Sequence, residues 1–264
     1  MLMAIGGLKG SPGATTAALA ITASWPRPAL LVEADPVGTL IYRLRDAAGM
    51  LLSPRHTVLQ IATEASGPLT PQPLHQHIQI ADGDLRVLLG TTDPAHMPLT
   101  ARAWPYLAPL LARLPGPDGQ ALDVIADLGR WQEHPAQIEL TRAASIVLTV
   151  AWPGTEALAQ LRDRTRILAQ WRGAPIPLAL ALRTRSRDAK RAFAQTQQDL
   201  RQLQIPADLL GVLAEDPNAP QLVGAKLEGE LAVSARQLAA ALAARPALPP
   251  SGTPTARLEQ SRSR

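Results

Sequence analysis

GLKGSPGATTAALA, residues 7–20, is the most informative stretch of this 264-residue sequence. It follows a short apolar run and contains two glycines, Gly10 and Gly13, that allow the backbone to turn tightly. From Thr15 the pattern becomes helical, and a helix N-terminus attracts anions through its dipole and its free N–H groups. Residues 9–16 therefore predict a phosphate-binding loop between a first strand and a first helix.

One position departs from the usual loop. The strict pattern is G-x-x-x-x-G-K-[ST], and Ala14 stands where the lysine is expected, whereas a hydroxyl that can ligate magnesium remains at Thr15 and Thr16. A charge-assisted hydrogen bond to phosphate contributes roughly 1.5–3 kcal/mol, so its loss predicts nucleotide binding weaker by about one to two decades. Removing one preorganised donor typically slows phosphoryl transfer by about 10²- to 10³-fold, which predicts very slow or absent hydrolysis.

Composition restricts the class of protein. A hydrophobic fraction of 46% over this length is sufficient for the core of one large α/β domain. The absence of cysteine excludes disulfides, thiolate metal sites and cysteine catalysis. The short apolar N-terminal run has no basic residues before it, and no apolar stretch reaches membrane-spanning length, so we expect a cytoplasmic protein. The five histidines lack the spacing of a metal site.

Short apolar runs bounded by turn residues alternate with segments of helical period, as in βαβ units around a parallel sheet. Strands are predicted at Leu2–Ile5, Ala29–Glu33, Leu85–Leu89, Leu122–Ala126, Ser145–Val150, Pro177–Ala181 and Leu209–Leu213. Helices are predicted at Thr15–Ser24, Thr39–Ala47, Ala101–Arg113, Pro135–Ala143, Thr155–Gln170, Arg187–Leu203 and Ser234–Ala244, the last with Ser234 as N-cap. The expected fold class is α/β, a mostly parallel twisted sheet with helices on both faces, in the three-layer α/β/α arrangement of P-loop NTPases.

Two regions lack this pattern. Residues 51–80 are rich in Pro, His and Gln with weak periodicity, and no element is predicted there. Residues 246–264 are rich in Pro, Ser and Arg and have almost nothing to bury, so they predict a disordered tail. One domain is accordingly expected over residues 1–245.

The stretch MAIGGLKGSPGATT, residues 3–16, resembles the deviant Walker A loop, K-G-G-x-G-K-[ST]-T, of the ParA/MinD family, SIMIBI-class P-loop ATPases. Lys9 matches the first lysine of that pattern, which in the family reaches the nucleotide of the opposing subunit in an ATP-sandwich dimer. The second lysine is Ala14 here. The resemblance implies nucleotide contacts at Lys9, Gly10, Ser11, Gly13, Ala14, Thr15 and Thr16.

Three further segments follow in the family's order. LLVEADPVG (30–38) is similar to V-D-x-D-P-x-G, with Glu33 in place of its first aspartate. LDVIADLG (122–129) resembles the Walker B strand, and LLGVLAEDP (209–217) resembles a late strand of the family, with Ala214 in place of a proline. The resemblance implies ATP or ADP and Mg²⁺ as cofactors, catalytic roles for Asp35 and Lys9, and metal contacts from Thr15, Asp35 and Asp127.

Several functions are compatible with these motifs. The degenerate loop is similar to the CpaE/TadZ-like branch, which implies a positioning, partition or secretion-associated scaffold with weak or absent ATP hydrolysis. The alternative is an active ATPase whose nucleotide-driven dimerisation powers partitioning of DNA or machinery, with Lys9 or an unidentified arginine replacing the lost charge. A nucleotide-free interaction module is the third possibility. The family also implies a homodimer and a partner protein of a partition or secretion system.

The run RTRSRDAKR, residues 183–191, concentrates cationic side chains after a predicted strand. These are Arg183, Arg185, Arg187, Lys190 and Arg191. Non-specific contacts to DNA phosphates require only charge and reach, so the run is a candidate DNA contact, with a solvated helix start as the alternative. The last helix has no aromatic anchor, which predicts no stable membrane anchor. Trp104 and Trp152 are expected to fill the core.

Overall fold

The chain is represented by a computed structural model. It describes residues 1–10, 13–64, 69–91, 93–116, 119–173, 178–216 and 227–245. Four features named from the sequence lie outside these ranges: the loop residue Ser11, the strand start at Pro177, the motif residue Pro217 and the tail at 246–264.

An eight-stranded sheet forms the centre of the described part of the chain. Its strands are β1 (Leu2–Gly7), β2 (Ala29–Glu33), β3 (Gln79–Ala81), β4 (Leu85–Leu88), β5 (Asp123–Arg130), β6 (Ile146–Ala151), β7 (Leu178–Thr184) and β8 (Ala207–Ala214). They are arranged in the order β3-β4-β2-β5-β1-β6-β7-β8. Every neighbouring pair is parallel except β3 and β4. The predicted mostly parallel sheet is therefore confirmed, with an antiparallel edge strand that the sequence pattern did not indicate.

The helices connect the parallel strands. They are α1 (Ala14–Ala23), α2 (Leu40–Arg43), α3 (Val58–Glu64), α4 (Pro71–Gln76), α5 (Met97–Ala101), α6 (Trp104–Leu111), α7 (Pro135–Ala143), α8 (Thr155–Arg172), α9 (Ala189–Gln202) and α10 (Gly229–Ala243). None of the helices in the described ranges is long and apolar enough to cross a membrane.

Alternation along β1 divides the core into two layers. Leu2 and Ala4 belong to one buried cluster with residues of α6, α7 and α8, whereas Met3 and Ile5 belong to a second cluster with α1 and α10. Because successive side chains of a strand point to opposite faces, the two clusters lie on opposite sides of the sheet. Helices thus cover both faces, as the three-layer prediction requires.

Three helix predictions are wrong in their bounds. The helix predicted to run to Ala47 ends at Arg43, because the side chain of Asp46 accepts the N–H groups of Ala48 and Met50 and closes a turn. The helix predicted at 101–113 is shorter, α6 over Trp104–Leu111, and a separate helix, α5, ends at Ala101. α6 has a proline near its N-terminus, where proline is favoured.

The last helix begins five residues earlier than predicted. Ser234 is therefore inside α10 instead of capping it, and its hydroxyl donates to the carbonyl of Glu230. The same oxygen accepts the N–H of Ala214, which joins the helix to the end of β8. A serine far from a helix terminus has this role only because a strand end lies beside it, and that contact is not visible in local sequence.

Candidate functional site

Three predicted motifs meet at the carboxyl end of adjacent strands. β5 lies between β2 and β1, and its Asp127 is in register with Glu33 on one side and Ile5 on the other. The N–H of Ala34 also donates to the carbonyl of Asp127 at 2.8 Å. The sheet therefore places the loop after β1, the EAD segment after β2 and the Walker B-like aspartate next to one another, where open α/β sheets bind ligands.

The loop after β1 turns on its glycines. Gly10 and Gly13 have φ values of 93° and 81°, in the left-handed region that favours glycine. Gly13 is the N-cap of α1, and its carbonyl accepts the first helical N–H, that of Ala17, at 2.8 Å. Ala14 is the first residue of the helix and is buried. The side chain of Thr15, in the same turn, is near enough to Asp127 to lower the pKa of that acid.

Trp152, directly after β6, and Gln160 of α8 fix the first half of this loop. The amide of Lys9 donates to Oε1 of Gln160 at 3.0 Å, and Nε1 of Trp152 donates to the carbonyl of Gly10 at 3.2 Å. Lys9 and Gly10 are exposed. The prediction that Trp152 fills the core is wrong, since it is only half-buried and binds the loop, whereas Trp104 is in the core.

Asp127 is the most unusual acid of the site. It is fully buried; Oδ1 accepts the N–H of Gly129 at 2.9 Å, and Oδ2 has no hydrogen-bond partner among the described residues. Burial raises the pKa of Asp127 to about 7, and the nearby Asp35 and Glu33 raise it further, whereas the N–H of Gly129 and the side chain of Thr15 lower it. A buried carboxylate oxygen with a free lone pair is suited to a cation.

Glu33 has a structural role instead. Its side chain is buried, and its carboxylate accepts the N–H groups of Leu40 at 2.8 Å and Gly90 at 3.0 Å. A Cβ on Gly38 would lie 2.5 Å from the Glu33 carboxyl carbon, so glycine is required for this approach. Burial raises the pKa of Glu33, and these hydrogen bonds oppose the rise. Glu33 thereby fixes the start of α2.

Asp35 lies over the backbone of β5. Its Oδ1 accepts the N–H of Val37 at 2.9 Å, and its Oδ2 occupies the space that a Cβ of Gly129 would need. Gly129 also has a φ of 63°. Burial raises the pKa of Asp35. Asp35, the catalytic acid that the family resemblance implies, therefore packs against a position where only glycine leaves room for its carboxylate.

A small cavity adjoins Asp35 on the side of α5 and α7. Its volume is about 20 Å³, the size of one water molecule. The buried His134 lines it, and burial lowers the pKa of His134 to about 4, so the imidazole is neutral near pH 7. Nδ1 of His134 accepts the N–H of Gln137, which caps α7. Nothing in the sequence around His134 indicated a position next to Asp35.

Arg43, the last residue of α2, is the cation that sequence analysis did not identify. Its Nε atom is buried although the residue as a whole is half-buried. Burial lowers the pKa of Arg43, and the charges of Asp127 and Glu33 oppose this. The positive charge of Arg43 is therefore close to the two buried carboxylates.

The cationic side chains of the predicted run are exposed except at its first residue. Arg183 is buried, so it is not part of a surface patch; burial lowers its pKa, against the charges of Glu215 and Asp216. The three other arginines of the run each lie within 3.6 Å of an acid. These pairs are Arg185 with Glu215, Arg187 with Asp188, and Arg191 with Asp188. Lys190 is exposed.

The donors at the site fit magnesium bound together with phosphate. Within the described ranges, no group of three or more His, Cys, Asp or Glu residues is arranged to hold a metal ion alone. Magnesium in nucleotide sites takes one or two carboxylates and completes its shell with phosphate oxygens and water. The hydroxyl of Thr15 and the unpaired Oδ2 of Asp127 meet that requirement.

Matches to known proteins come from solved structures. No family model and no curated protein matches the chain. Among solved structures, the cell division ATPase MinD of Pyrococcus furiosus matches with 20% identity and a TM-score of 0.66, over 92% of this chain and 98% of that one. A ParA family ATPase of Chlorobium tepidum matches with 14% identity and a TM-score of 0.62, over 90% of this chain and 98% of that one. Cobyrinic acid a,c-diamide synthase of Mycobacterium smegmatis, with an ATP analogue and magnesium, matches with 18% identity and a TM-score of 0.68, over 94% of this chain and 98% of that one. Sequence identities this low establish a shared fold and nothing more. The chain has the fold of the ParA/MinD P-loop ATPases.

Proposed function

We propose that this chain is a degenerate ParA/MinD-type protein that binds ATP or ADP with Mg²⁺ and hydrolyses ATP slowly or not at all. In this proposal it acts as a homodimeric positioning scaffold for a partition or secretion assembly. The observation that carries nucleotide binding is Asp127, a fully buried carboxylate whose Oδ2 has no partner in the described part of the chain. A cation bound there would complete its coordination, and the side chain of Thr15, at the start of α1, is near the same carboxylate.

Main-chain groups are sufficient to hold a phosphate weakly. Gly13 begins a ten-residue helix, and its left-handed conformation turns the chain directly into α1. The first N–H groups of a helix have no intrahelical acceptor, so they are available to an anion. Magnesium would be held by Thr15 and Asp127, and it would screen the phosphate charge. Binding in the high micromolar to millimolar range is the expected consequence.

The position of Lys9 supports the scaffold over the efficient enzyme. Its amide is tied to Gln160 of α8, and the residue is exposed at the surface. An exposed lysine there suits a contact to a second copy better than a replacement of the missing charge within one chain. Residue 14 is a buried alanine, so no lysine at this position stabilises the charge of the transition state. Hydrolysis is therefore expected to be slow.

Calorimetry of ATP and ADP with and without Mg²⁺ tests nucleotide binding. The wild type should release heat in millimolar nucleotide and Mg²⁺, and Thr15→Val should weaken binding by about tenfold, because it removes one oxygen ligand. Thr63→Val is the matched control, since Thr63 is exposed on α3. Absence of heat with both nucleotides would contradict the proposal.

Restoring the lysine tests whether the loop is otherwise intact. Ala14→Lys should raise the affinity for ATP by about one to two decades. Ala240→Lys adds the same charge at an exposed position of α10 and should leave affinity unchanged. An unchanged affinity in Ala14→Lys would mean that the loop does not hold phosphate.

Turnover distinguishes the scaffold from the active ATPase. We expect a steady-state rate of phosphate release near background for the wild type. A rate well above background that disappears in Asp35→Ala, but not in the exposed control Asp163→Ala, would favour the ATPase and refute slow hydrolysis. Imaging a fluorescent fusion in the native cells tests the scaffold itself: foci at defined positions are expected, and a uniform distribution would contradict it.

A further inference from the structure

Three acids share the carboxyl end of the sheet, and position 14 of the loop has no lysine to balance them. Glu33, Asp35 and Asp127 lie on adjacent strands or directly after them, and burial raises the pKa of each. A polyphosphate would bring further negative charge to the same place. A cation from elsewhere in the chain is therefore needed for tight binding.

Arg43 is placed to be that cation. The N–H of Leu40 donates to Oε1 of Glu33, and this bond fixes the first turn of α2 against the site. Arg43 is one turn further along the same short helix, and the charge of Glu33 acts on it. The buried Nε of Arg43 agrees with an inward direction of its side chain.

The strand order relates Arg43 to the phosphate-binding loop. α2 follows β2, whereas the loop follows β1, and β5 lies between these two strands. The charge of Asp127, on β5, acts on Arg43, and the side chain of Thr15 in the loop's helix is near the same carboxylate. The charge of Arg43 and the N-terminus of α1 are therefore both near the Asp127 carboxylate, and a phosphate bound at that N-terminus would be close to the guanidinium.

We infer that Arg43 supplies, within the same chain, the phosphate-binding charge that is missing at Ala14. Its planar guanidinium can donate two parallel hydrogen bonds to phosphate oxygens, which a lysine cannot do. The inference rests on the proposed nucleotide binding and adds the residue that completes the site. Arg43 would then bind phosphate from the segment after β2, whereas the usual lysine belongs to the loop after β1.

Nucleotide affinity in a double-mutant cycle tests this inference. Calorimetry with ATP and ADP, with and without Mg²⁺, compares the wild type with Arg43→Gln, Arg43→Lys, Ala14→Lys and the double variant Ala14→Lys/Arg43→Gln. Arg43→Gln should weaken ATP binding about 10- to 100-fold, and Arg43→Lys should retain part of the affinity. In the Ala14→Lys background the same change should cost much less, because the loop lysine again supplies the charge.

The controls separate failure of this inference from failure of the proposed function. Arg55→Gln changes an exposed arginine and should have no effect, and circular dichroism melting shows whether each variant is folded. If Ala14→Lys binds nucleotide but Arg43→Gln matches the wild type, only the role of Arg43 is refuted. If neither the wild type nor Ala14→Lys binds, both proposals are refuted.

Discussion

Two aspartates on β5, four residues apart, have opposite environments. Asp123, at the amino end of the strand, accepts Nε1 of Trp25 at 2.9 Å, Nε of Arg27 at 2.8 Å and the amino group of Met1 at 3.1 Å. Burial alone would raise the pKa of Asp123, but these three donors lower it below the usual value. Asp127, in the second half of the strand, has one oxygen without a partner among the described residues and a pKa of about 7.

The difference separates a structural acid from a candidate functional one. Both side chains are buried on the same strand, so burial does not distinguish them. The fold provides every group that Asp123 needs, whereas Asp127 is left incomplete at the edge of the sheet where α/β folds bind ligands. Incomplete satisfaction of a buried charge therefore marks the site more clearly than burial or residue type does.

The largest effect is expected from pH and from Asp127→Asn. In the folded state the carboxyl group has a pKa of about 7 against a usual 3.8. Its ionisation therefore destabilises the fold as pH rises from about 4 to about 7, by at most about 4 kcal/mol, and the loss is complete above pH 7. Asp127→Asn should remove this loss. Urea denaturation between pH 5 and 8 measures it, and parallel curves for the two proteins would contradict the interpretation.

Asp123→Ala should act in the opposite direction. It leaves Trp25 Nε1 and Arg27 without their acceptor, and breaking such a partly buried network costs about 3 kcal/mol in the free energy of unfolding at pH 7. Because the pKa of Asp123 is lowered, its contribution is present above about pH 4 and is lost only at lower pH. Urea denaturation at pH 7 checks this, with the exposed Asp163→Ala as control. A change as small as that control's would mean that Asp123 is not structural.

Gly129→Ala tests the packing between Asp35 and the strand that carries Asp127. A Cβ at residue 129 would overlap the Asp35 carboxylate, and φ is 63° there, so a cost of about 1–2 kcal/mol is expected. In the background of Asp35→Gly the overlap is removed and part of the cost should disappear. Thermal denaturation of the four proteins measures the coupling, and strictly additive effects would show that the two residues do not touch.

The smallest effect is expected from Trp25→Phe. This change removes one of the hydrogen-bond donors to Asp123, so the surroundings of Asp123 become more like those of Asp127. The loss of one hydrogen bond to a carboxylate should cost about 1 kcal/mol. The pKa of Asp123 should also rise, because the donor from Trp25 lowers it in the wild type. Carboxyl NMR titration of Asp123 gives that pKa directly. A pKa that stays constant would mean that Arg27 and Met1 account for the whole lowering.

Local patterns in the chain were sufficient for most of the fold and for the motif residues of the site. The limits of β2 and α7 agree with prediction to the residue, since apolar runs and a proline at a helix start are local signals. Asp35, Asp127 and Thr15 were also predicted, and the structure brings them together because parallel strands end at one edge of the sheet. Ala14 could also be recognised from the sequence, because it departs from the pattern of one short motif.

Tertiary structure alone decided the partners of these residues. Arg43 and His134 approach the site from segments without a recognisable motif, and Trp152 reaches Gly10 across 142 positions of the chain. Arg183 is buried although its neighbours in sequence are charged. Which charges are buried, and beside which others, depends on strand order and helix docking, so no window of local sequence contains that information.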